Sequence, residues 1–288
     1  MSRVLVTGAS GKTGRRVVEH LVGMGIQPRS AVRTPKGGHA VRFEWSAPET
    51  HVETLDGVGA VYLVAPPGVV DPLPVMLPFL QQALRSGVTR FVLLSASSLE
   101  AGGPMMGEVH AWLASNVPSW VVLRPTWFMQ NFSEQQHLPT IVSEAAIFSA
   151  TGDGRIGFID AEDIAAVAAV ALTEPDFESG DLILTGPETL SYDEVAALIG
   201  TATGREVHHR RLTEQQLTAR IASSGIPEGF ASGLAAMDTA IAKGAEDRTT
   251  DNVLRVTGRP AGSFQDFVTR SAEVWAKPVN SSTAPTGR

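Results

Sequence analysis

The feature that most constrains the fold is a regular alternation of short apolar runs with helix-length segments in the first half of the chain. The runs are largely apolar and lack the every-second-residue alternation of a half-exposed strand. They read RVLVTG, PRSAVR, VRFEW, GAVYLVAP, RFVLLSA and SWVVLRP. Strands buried on both faces and separated by helices are typical of parallel sheets. The pattern therefore predicts an α/β fold with a Rossmann-type, doubly wound parallel sheet.

After Pro125 the chain changes to longer helical segments, with one further strand at DLILTG. We predict a Rossmann-type domain over residues 1–150, whose sheet is completed by parts of residues 151–190. A smaller, mostly helical C-terminal lobe is predicted over residues 191–276, where it would cover a substrate. Residues 277–288 are rich in Ser, Thr and Pro without apolar periodicity, and we predict that they are disordered.

Composition excludes several classes of protein. A formal net charge of −7 and the lack of a basic block argue against nucleic acid as a partner. The chain has no cysteine, which removes disulfides, thiolate catalysis and cysteine-ligated metals, and we predict no metal site. No apolar run is long enough for a membrane span, and MSRVLVTG leads directly into a strand pattern, so we expect a cytoplasmic protein without a membrane partner.

Three glycines follow the first strand and precede a predicted helix. Gly8, Gly11 and Gly14 form a G-x-x-G-x-x-G pattern. Residues without Cβ allow a tight turn and let a pyrophosphate approach the main chain, while the helix N-terminus attracts its negative charge. A glycine turn used only for packing is the alternative. The order of strand, turn, helix and strand favours dinucleotide binding.

The end of the second strand normally carries Asp or Glu in NAD-binding folds, where the acid holds a ribose 2′-hydroxyl. This chain has Arg33 in that region. A guanidinium suits a 2′-phosphate through paired, charge-assisted hydrogen bonds, and Lys12 and Lys36 are candidate helpers. A surface arginine without a ligand is the alternative. The sequence predicts NADP(H) as the cofactor.

Four later stretches have a recognisable pattern, and they read SWVVLRPTWFMQNF, GFIDAEDIAAVAAVAL, LTGPETLSYDEVA and VTGRPAGSFQDFV. Together with the glycine turn they resemble the NmrA-like family of atypical short-chain dehydrogenases, in order from Arg3 to about Trp275. Within that family, LRPTWFMQNF is similar to the ergot-alkaloid reductases of the festuclavine and agroclavine dehydrogenase type and to their bacterial relatives. The resemblance implies a cofactor lying across the strand ends.

The resemblance also implies roles for individual residues. Asp160 and Asp163 would cap or orient the helix that follows them. Asn131 would lie at the floor of the site, and Trp127 beside the nicotinamide. We add Phe230 and Met237 as substrate contacts from the apolar face of the predicted lobe, where core packing is the alternative. The predicted cofactor-binding residues are Gly8, Ser10, Gly11, Lys12, Thr13, Gly14, Arg33, Lys36, Ala65, Pro66, Pro67, Ser95, Ala96, Pro125, Thr126 and Phe128.

The proton donor of ordinary short-chain dehydrogenases is missing. Those enzymes use Tyr-x-x-x-Lys on a helix, where the lysine lowers the pKa of the phenol. Tyr62 and Tyr192 are the only tyrosines, and neither has a lysine four residues later. His110 and Trp127 are the candidate catalytic residues. The alternatives are a histidine with no chemical role and a tryptophan that only packs.

The sequence therefore predicts an NADPH-dependent reductase that transfers hydride to a small or medium-sized apolar acceptor. Hydride addition to an iminium yields an amine directly, whereas a ketone develops an alkoxide that needs a proton donor. An imine or iminium is thus the favoured acceptor. An NADPH:quinone oxidoreductase and a non-catalytic NADP(H)-binding sensor or regulator remain as alternatives. The expected partner is a small-molecule substrate, and the sequence leaves a homodimer open.

Overall fold

A computed structural model describes residues 3–276, so the predicted disordered segment 277–288 lies outside the described residues. The strands are β1 (Arg3–Val6), β2 (Arg29–Val32), β3 (Ala40–Arg42), β4 (Val58–Leu63), β5 (Arg90–Leu94), β6 (Ser119–Pro125), β7 (Ala146–Ser149), β8 (Arg155–Ile156), β9 (Gly180–Leu184), β10 (Leu190–Ser191) and β11 (His208–Arg211). The helices are α1 (Lys12–Gly23), α2 (His51–Thr54), α3 (Pro72–Arg85), α4 (Met106–Asn116), α5 (Leu138–Glu144), α6 (Ala161–Thr173), α7 (Tyr192–Thr203), α8 (Glu214–Ser223), α9 (Glu228–Ala242), α10 (Asn252–Thr257) and α11 (Phe264–Ala276). Short 3-10 helices cover Pro48–Thr50 and Met129–Asn131.

The described residues form two compact units, each built from separate segments of the sequence. The sheet unit consists of residues 3–126, 159–187 and 249–261, and the smaller unit consists of residues 127–158, 188–248 and 262–276. These bounds differ from the predicted domains. Residues 127–158 belong to the smaller unit because β7 pairs with β11 and α5 packs on β7. Pairing between β6 and β9 brings residues 159–187 back to the sheet unit.

The sheet unit contains seven strands in the order β3-β2-β1-β4-β5-β6-β9, and every neighbouring pair is parallel. The order runs outward in both directions from the pair β1 and β4, which makes that pair the switch point of the sheet. All carboxyl ends of the strands lie along one edge. The predicted Rossmann-type, doubly wound sheet is confirmed.

Helices cover both faces of this sheet because successive side chains of a buried strand point to opposite sides. Leu5, Leu63 and Leu93 share a core with buried side chains of α3 and α4. On the other face α1 packs against α6, and α6 packs against β4, β5 and β6. The first helix is thereby held between the sheet and a neighbouring helix.

Two polar contacts fix α1 and α6 further. Arg16 Nε donates to Glu162 Oε1 over 2.6 Å, which joins the two helices. Asp160 caps α6 by accepting the backbone N–H of Glu162 at 3.0 Å, as the resemblance implied. A carboxylate at this position satisfies a donor that has no partner within the helix. These contacts hold in place the helix that follows the glycine turn.

The smaller unit is mostly helical and contains two sheets of two strands each. The strands β7 and β11 pair in parallel, and β8 and β10 pair antiparallel. Its aromatic core includes Phe132, Phe158, Tyr192, Phe264 and Trp275. The indole N–H of Trp275 donates to the Phe132 carbonyl over 2.7 Å, which ties α11 to the segment after β6. None of the described helices is long and apolar enough to cross a membrane.

Candidate functional site

The glycine-rich turn joins β1 to α1 at the switch point of the sheet. Gly8 has a φ of +60°, a conformation that side chains rarely tolerate. The Gly11 N–H donates to the Gly8 carbonyl oxygen over 2.8 Å and closes the turn. A Cβ atom on Gly14 would lie 2.1 Å from that same oxygen and 2.7 Å from its carbon. The first turn of α1 therefore rests directly on the backbone of Gly8, which requires glycine at position 14.

A buried threonine holds this turn to the neighbouring strand. The Thr7 hydroxyl donates to the Tyr62 carbonyl over 2.9 Å and accepts the Val64 N–H at 3.0 Å. These bonds link the ends of β1 and β4 directly below the turn. This role of Thr7 was not predicted from the sequence. The available signal was a hydroxyl at the end of a buried apolar strand, where a polar group needs partners.

The carboxyl edge of the sheet brings the predicted cofactor residues together. Arg33 follows β2 directly, Ala65 comes two residues after β4, Ser95 follows β5, and Thr126 follows β6. Parallel strands end at the same edge, so these positions lie in a row that includes the glycine turn. The edge also carries Ser10, Lys12, Lys36, Pro66, Pro67, Ala96 and Pro125. Arg33 and Lys36 are exposed, whereas Pro125 and Thr126 are buried.

Two further observations test whether these residues fit a dinucleotide. Among the described residues, the buried Oγ of Ser95 has no hydrogen-bond partner. No side chain caps the N-terminus of α1, where Gly11 is the N-cap residue. A dinucleotide would satisfy both groups. Its pyrophosphate would bind at the uncapped N-terminus of α1, which attracts an anion, and a ribose hydroxyl would form a hydrogen bond with Ser95. The residues present therefore fit NAD(P)H. Thr13, another predicted cofactor residue, is buried in the first turn of α1.

The smaller unit contains a cavity of about 580 Å³, a volume typical of small-molecule sites. It is lined by Trp127, Gln136, His137, Thr140, Phe148, Leu217, Arg220, Ile221, Ser223, Ser224, Ile226, Leu234 and Asp238. Trp127 was a predicted substrate contact. The other predicted contacts, Asn131, Phe230 and Met237, do not line the cavity.

Two of these residues, Phe230 and Met237, belong to α9. Its buried residues are Ala231, Ala235, Asp238 and Ile241, which recur every three or four positions. A helix turns about 100° per residue, so Phe230 and Met237 lie at the edge of this stripe, next to Ile241. Both side chains are half-buried, and neither lines the cavity.

Asp238 is the acidic group of the cavity, and only 9% of its surface is exposed. Its Oδ2 accepts the backbone N–H of Ala150 at 2.9 Å. Burial raises the pKa of Asp238 to about 6, against the effect of that N–H. Asp238 was not among the residues predicted from the sequence. The signal was an acid on the apolar stripe of a helix, between Ala235 and Ile241.

Comparison with known proteins identifies the family. The NmrA-like family model matches residues 114–259, and an NAD(P)H-binding family model matches residues 8–175. The chain belongs to the NmrA-like family. It is 42% identical to the uncharacterized oxidoreductase YesF of Bacillus subtilis, over 94% of this chain and 96% of that protein. It is 40% identical to an agroclavine dehydrogenase of Claviceps fusiformis, over 94% and 98% of the two chains.

A solved structure shows the same fold. The NADPH-dependent quinone oxidoreductase of Escherichia coli, in complex with NADPH, matches with a TM-score of 0.79 at 23% identity, over 93% of this chain and 99% of that chain. This NmrA-like protein is an NAD(P)H-dependent oxidoreductase, and the predicted family and cofactor class are confirmed. Among residues 3–276, no group of three or more His, Cys, Asp or Glu side chains is arranged to hold a metal ion.

His110, a predicted catalytic candidate in this NmrA-like protein, is buried on α4. Its ring packs against Trp120, with 5.4 Å between the ring centroids, and Trp120 stands near the start of β6. Burial lowers the pKa of His110, so its imidazole is neutral near pH 7. The ring also lies within electrostatic reach of Arg124, near the carboxyl end of β6, and of Glu100 and Asp181. A chemical role for His110 stays a prediction.

Proposed function

We propose that this NmrA-like protein is an NADPH-dependent reductase of imines or iminium ions. The observation that carries the proposal is the burial of both tyrosines, Tyr62 at 0% and Tyr192 at 1% exposure. Burial also raises the pKa of each phenol. Neither phenol is accessible to protonate a substrate. The acceptor must then be one whose reduction needs no phenolic acid.

An iminium meets this requirement. The bound cofactor supplies a hydride, and its addition to a C=N⁺ carbon neutralises the charge and leaves an amine. A ketone develops an alkoxide, which normally needs a nearby donor. The residues of this chain would then act by orienting the acceptor and excluding water, effects that lower a barrier by several kcal/mol. The 40% identity to an agroclavine dehydrogenase supports an acceptor of the alkaloid type.

The cavity of the smaller unit is our candidate for the acceptor site. Trp127 forms part of its wall. This residue follows β6 by two positions along the chain. An indole face attracts organic cations by about 0.5–2 kcal/mol. The cavity thus combines an aromatic wall with room for a small polycyclic molecule.

Cofactor preference gives the first test. Because Arg33 is exposed at the end of β2, Arg33→Asp is expected to weaken NADPH binding roughly tenfold and to spare NADH. Arg85→Asp is the matched control, since Arg85 is exposed at the end of α3, which leads to the opposite edge of the sheet. Fluorescence titration measures the dissociation constants of NADPH and NADH for wild type and both variants. Equal loss in both variants would contradict the assignment of Arg33.

Replacement of Trp127 by alanine gives the second test. We expect a higher KM for cationic acceptors, by roughly threefold to thirtyfold, and a smaller change for a quinone, because only a cation gains from the indole face.

His110→Ala is expected to keep kcat/KM within about tenfold of wild type, since His110 packs against Trp120. Complete loss of activity in His110→Ala would instead mark that residue as a proton relay.

A panel of acceptors tests the proposal itself. Initial rates of NADPH oxidation are compared for a cyclic iminium, a quinone and a ketone of similar size. We expect the iminium to have the highest kcat/KM. Preferred turnover of the quinone, which takes its protons from water, would support the quinone oxidoreductase instead. Tight NADPH binding with no turnover of any acceptor would support a sensor or regulator.

A further inference from the structure

The cavity of the smaller unit contains a carboxylate without a balancing cation. Asp238 accepts one hydrogen bond, from the backbone N–H of Ala150. Within residues 3–276, no Lys, Arg or His forms an ion pair with it. A buried charge is strongly unfavourable unless it is paired, and a single neutral donor compensates only part of that loss.

The one arginine in the cavity wall is engaged elsewhere. The Arg220 guanidinium carbon lies 3.6 Å from the centroid of the Phe148 ring, so the two groups stack. Its Nη2 also lies 3.2 Å from Glu144 Oε1, which balances the charge. The stacking covers one face of Phe148, and the ion pair of Arg220 is with Glu144 and not with Asp238. Asp238 is therefore left as the negative charge that a ligand can neutralise.

We propose that Asp238 is the counter-ion of the substrate, and that the cavity takes an organic monocation whose charged nitrogen lies against this carboxylate. Apolar side chains of Ile226 and Leu234 line the same cavity, together with the indole of Trp127. A carboxylate opposite aromatic and aliphatic walls selects a cation with an apolar body. This inference rests on the proposed reductase function and names the residue that recognises its acceptor.

Binding of such a cation must be linked to the ionisation of Asp238. Burial raises the pKa of Asp238 to about 6, so near that pH about half of the molecules carry a proton there. A cation binds the ionised form and displaces the proton, whereas a neutral ligand of the same shape does not. Affinity for a permanent cation should fall as the pH drops below about 6.

Other titratable groups lie near Asp238. Tyr192 is fully buried, and the charge of Asp238 contributes to its raised pKa, so it stays neutral. His137 and Arg220 line the cavity. Glu214 of α8 bonds to the Thr239 hydroxyl over 2.7 Å on the exposed side of α9.

The test is isothermal titration calorimetry of the full chain with N-methyl-dihydroisoquinolinium, a permanent cation that contains an iminium. Dihydronaphthalene is the neutral probe of the same shape. Titrations near pH 6 in two buffers of different ionisation enthalpy measure proton release. We expect wild type to release about half a proton per cation bound. Asp238→Asn should release almost none from this site and bind the cation roughly tenfold to hundredfold more weakly, with the neutral probe within about threefold.

Two further variants make the result specific. Glu228→Gln is the matched control, since Glu228 is exposed at the start of the same helix and the substitution makes the same change of charge. It should behave as wild type. Asp238→Glu keeps the charge and should retain the preference for the cation over the neutral probe. This variant also guards against a loss caused by misfolding of Asp238→Asn.

Two results would overturn the inference. One is equal cation affinity in wild type and Asp238→Asn, and the other is an equal loss for both probes. NADPH oxidation by wild type with the same cation separates this inference from the reductase proposal. Cation binding through Asp238 without turnover would retain the site and refute the reductase. Turnover with binding independent of Asp238 would refute the site and retain the reductase.

Discussion

Gly14→Ala is expected to weaken NADPH binding about a hundredfold and to lower the free energy of unfolding by on the order of 3 kcal/mol. The new Cβ would lie 2.1 Å from the Gly8 carbonyl oxygen, well inside van der Waals contact. A backbone carbonyl cannot rotate away as a flexible side chain does, so α1 must move off the turn. That movement separates the helix N-terminus from the loop that would hold the pyrophosphate. Urea denaturation and fluorescence titration with NADPH measure the two effects.

Gly23→Ala provides the matched control for this prediction. Gly23 ends the same helix, and a Cβ there would meet no atom within 4 Å. The same substitution should leave NADPH affinity unchanged and stabilise the protein slightly, since alanine favours helix over glycine. If Gly14→Ala and Gly23→Ala bind NADPH equally well, the close approach within the turn has no part in cofactor binding.

Asp238→Asn is expected to stabilise the protein by about 3 kcal/mol relative to wild type above pH 6, and by much less below about pH 4. Burial raises the pKa of Asp238 from 3.8 to about 6, so the folded protein holds a proton that the unfolded chain has released between these pH values. The free energy of unfolding of wild type therefore decreases as the pH rises through this window, and the contribution of Asp238 is constant above it. Asparagine does not ionise and can still accept the Ala150 N–H.

Urea denaturation of both proteins between about pH 4 and pH 7.5 measures the difference, in which the titration of all other groups cancels to first order. The exposed Glu228 lies on the same helix, and Glu228→Gln should give a nearly flat difference over this range. A difference between wild type and Asp238→Asn that does not change with pH would mean that Asp238 titrates as an ordinary exposed carboxyl group.

The sheet unit was largely predictable because its signals are local. Each buried parallel strand is a continuous apolar run, and the glycine turn follows the first of them. The positions of Arg33 and Ser95 at one edge then follow from the geometry of parallel strands. The smaller unit was less predictable. Its β7 pairs with β11 about sixty positions along the chain, and neither strand is a continuous apolar run of useful length.

The site residues show the same division between local and distant effects. The role of Gly14 was predictable because the glycine spacing and its place between a strand and a helix are both visible in the sequence. Thr7 depends on a bond to a strand far along the sequence, so only the pairing of β1 with β4 gives it a role. Asp238 is recognisable in the sequence as an acid on an apolar helical stripe. The prediction instead chose two larger apolar side chains of the same helix, Phe230 and Met237.

Transfer of deuterium from labelled cofactor tests the central claim most directly. The full chain is given NADPH carrying deuterium at C4 of the nicotinamide, in separate preparations labelled on each face, with N-methyl-dihydroisoquinolinium as acceptor. Mass spectrometry of the tertiary amine product should find one deuterium from one of the two preparations, on the carbon that was bonded to N⁺. The ketone tetralone should react far more slowly under the same conditions. Efficient reduction of tetralone, with no deuterated amine from either labelled cofactor, would contradict the assignment of this NmrA-like protein as an iminium reductase.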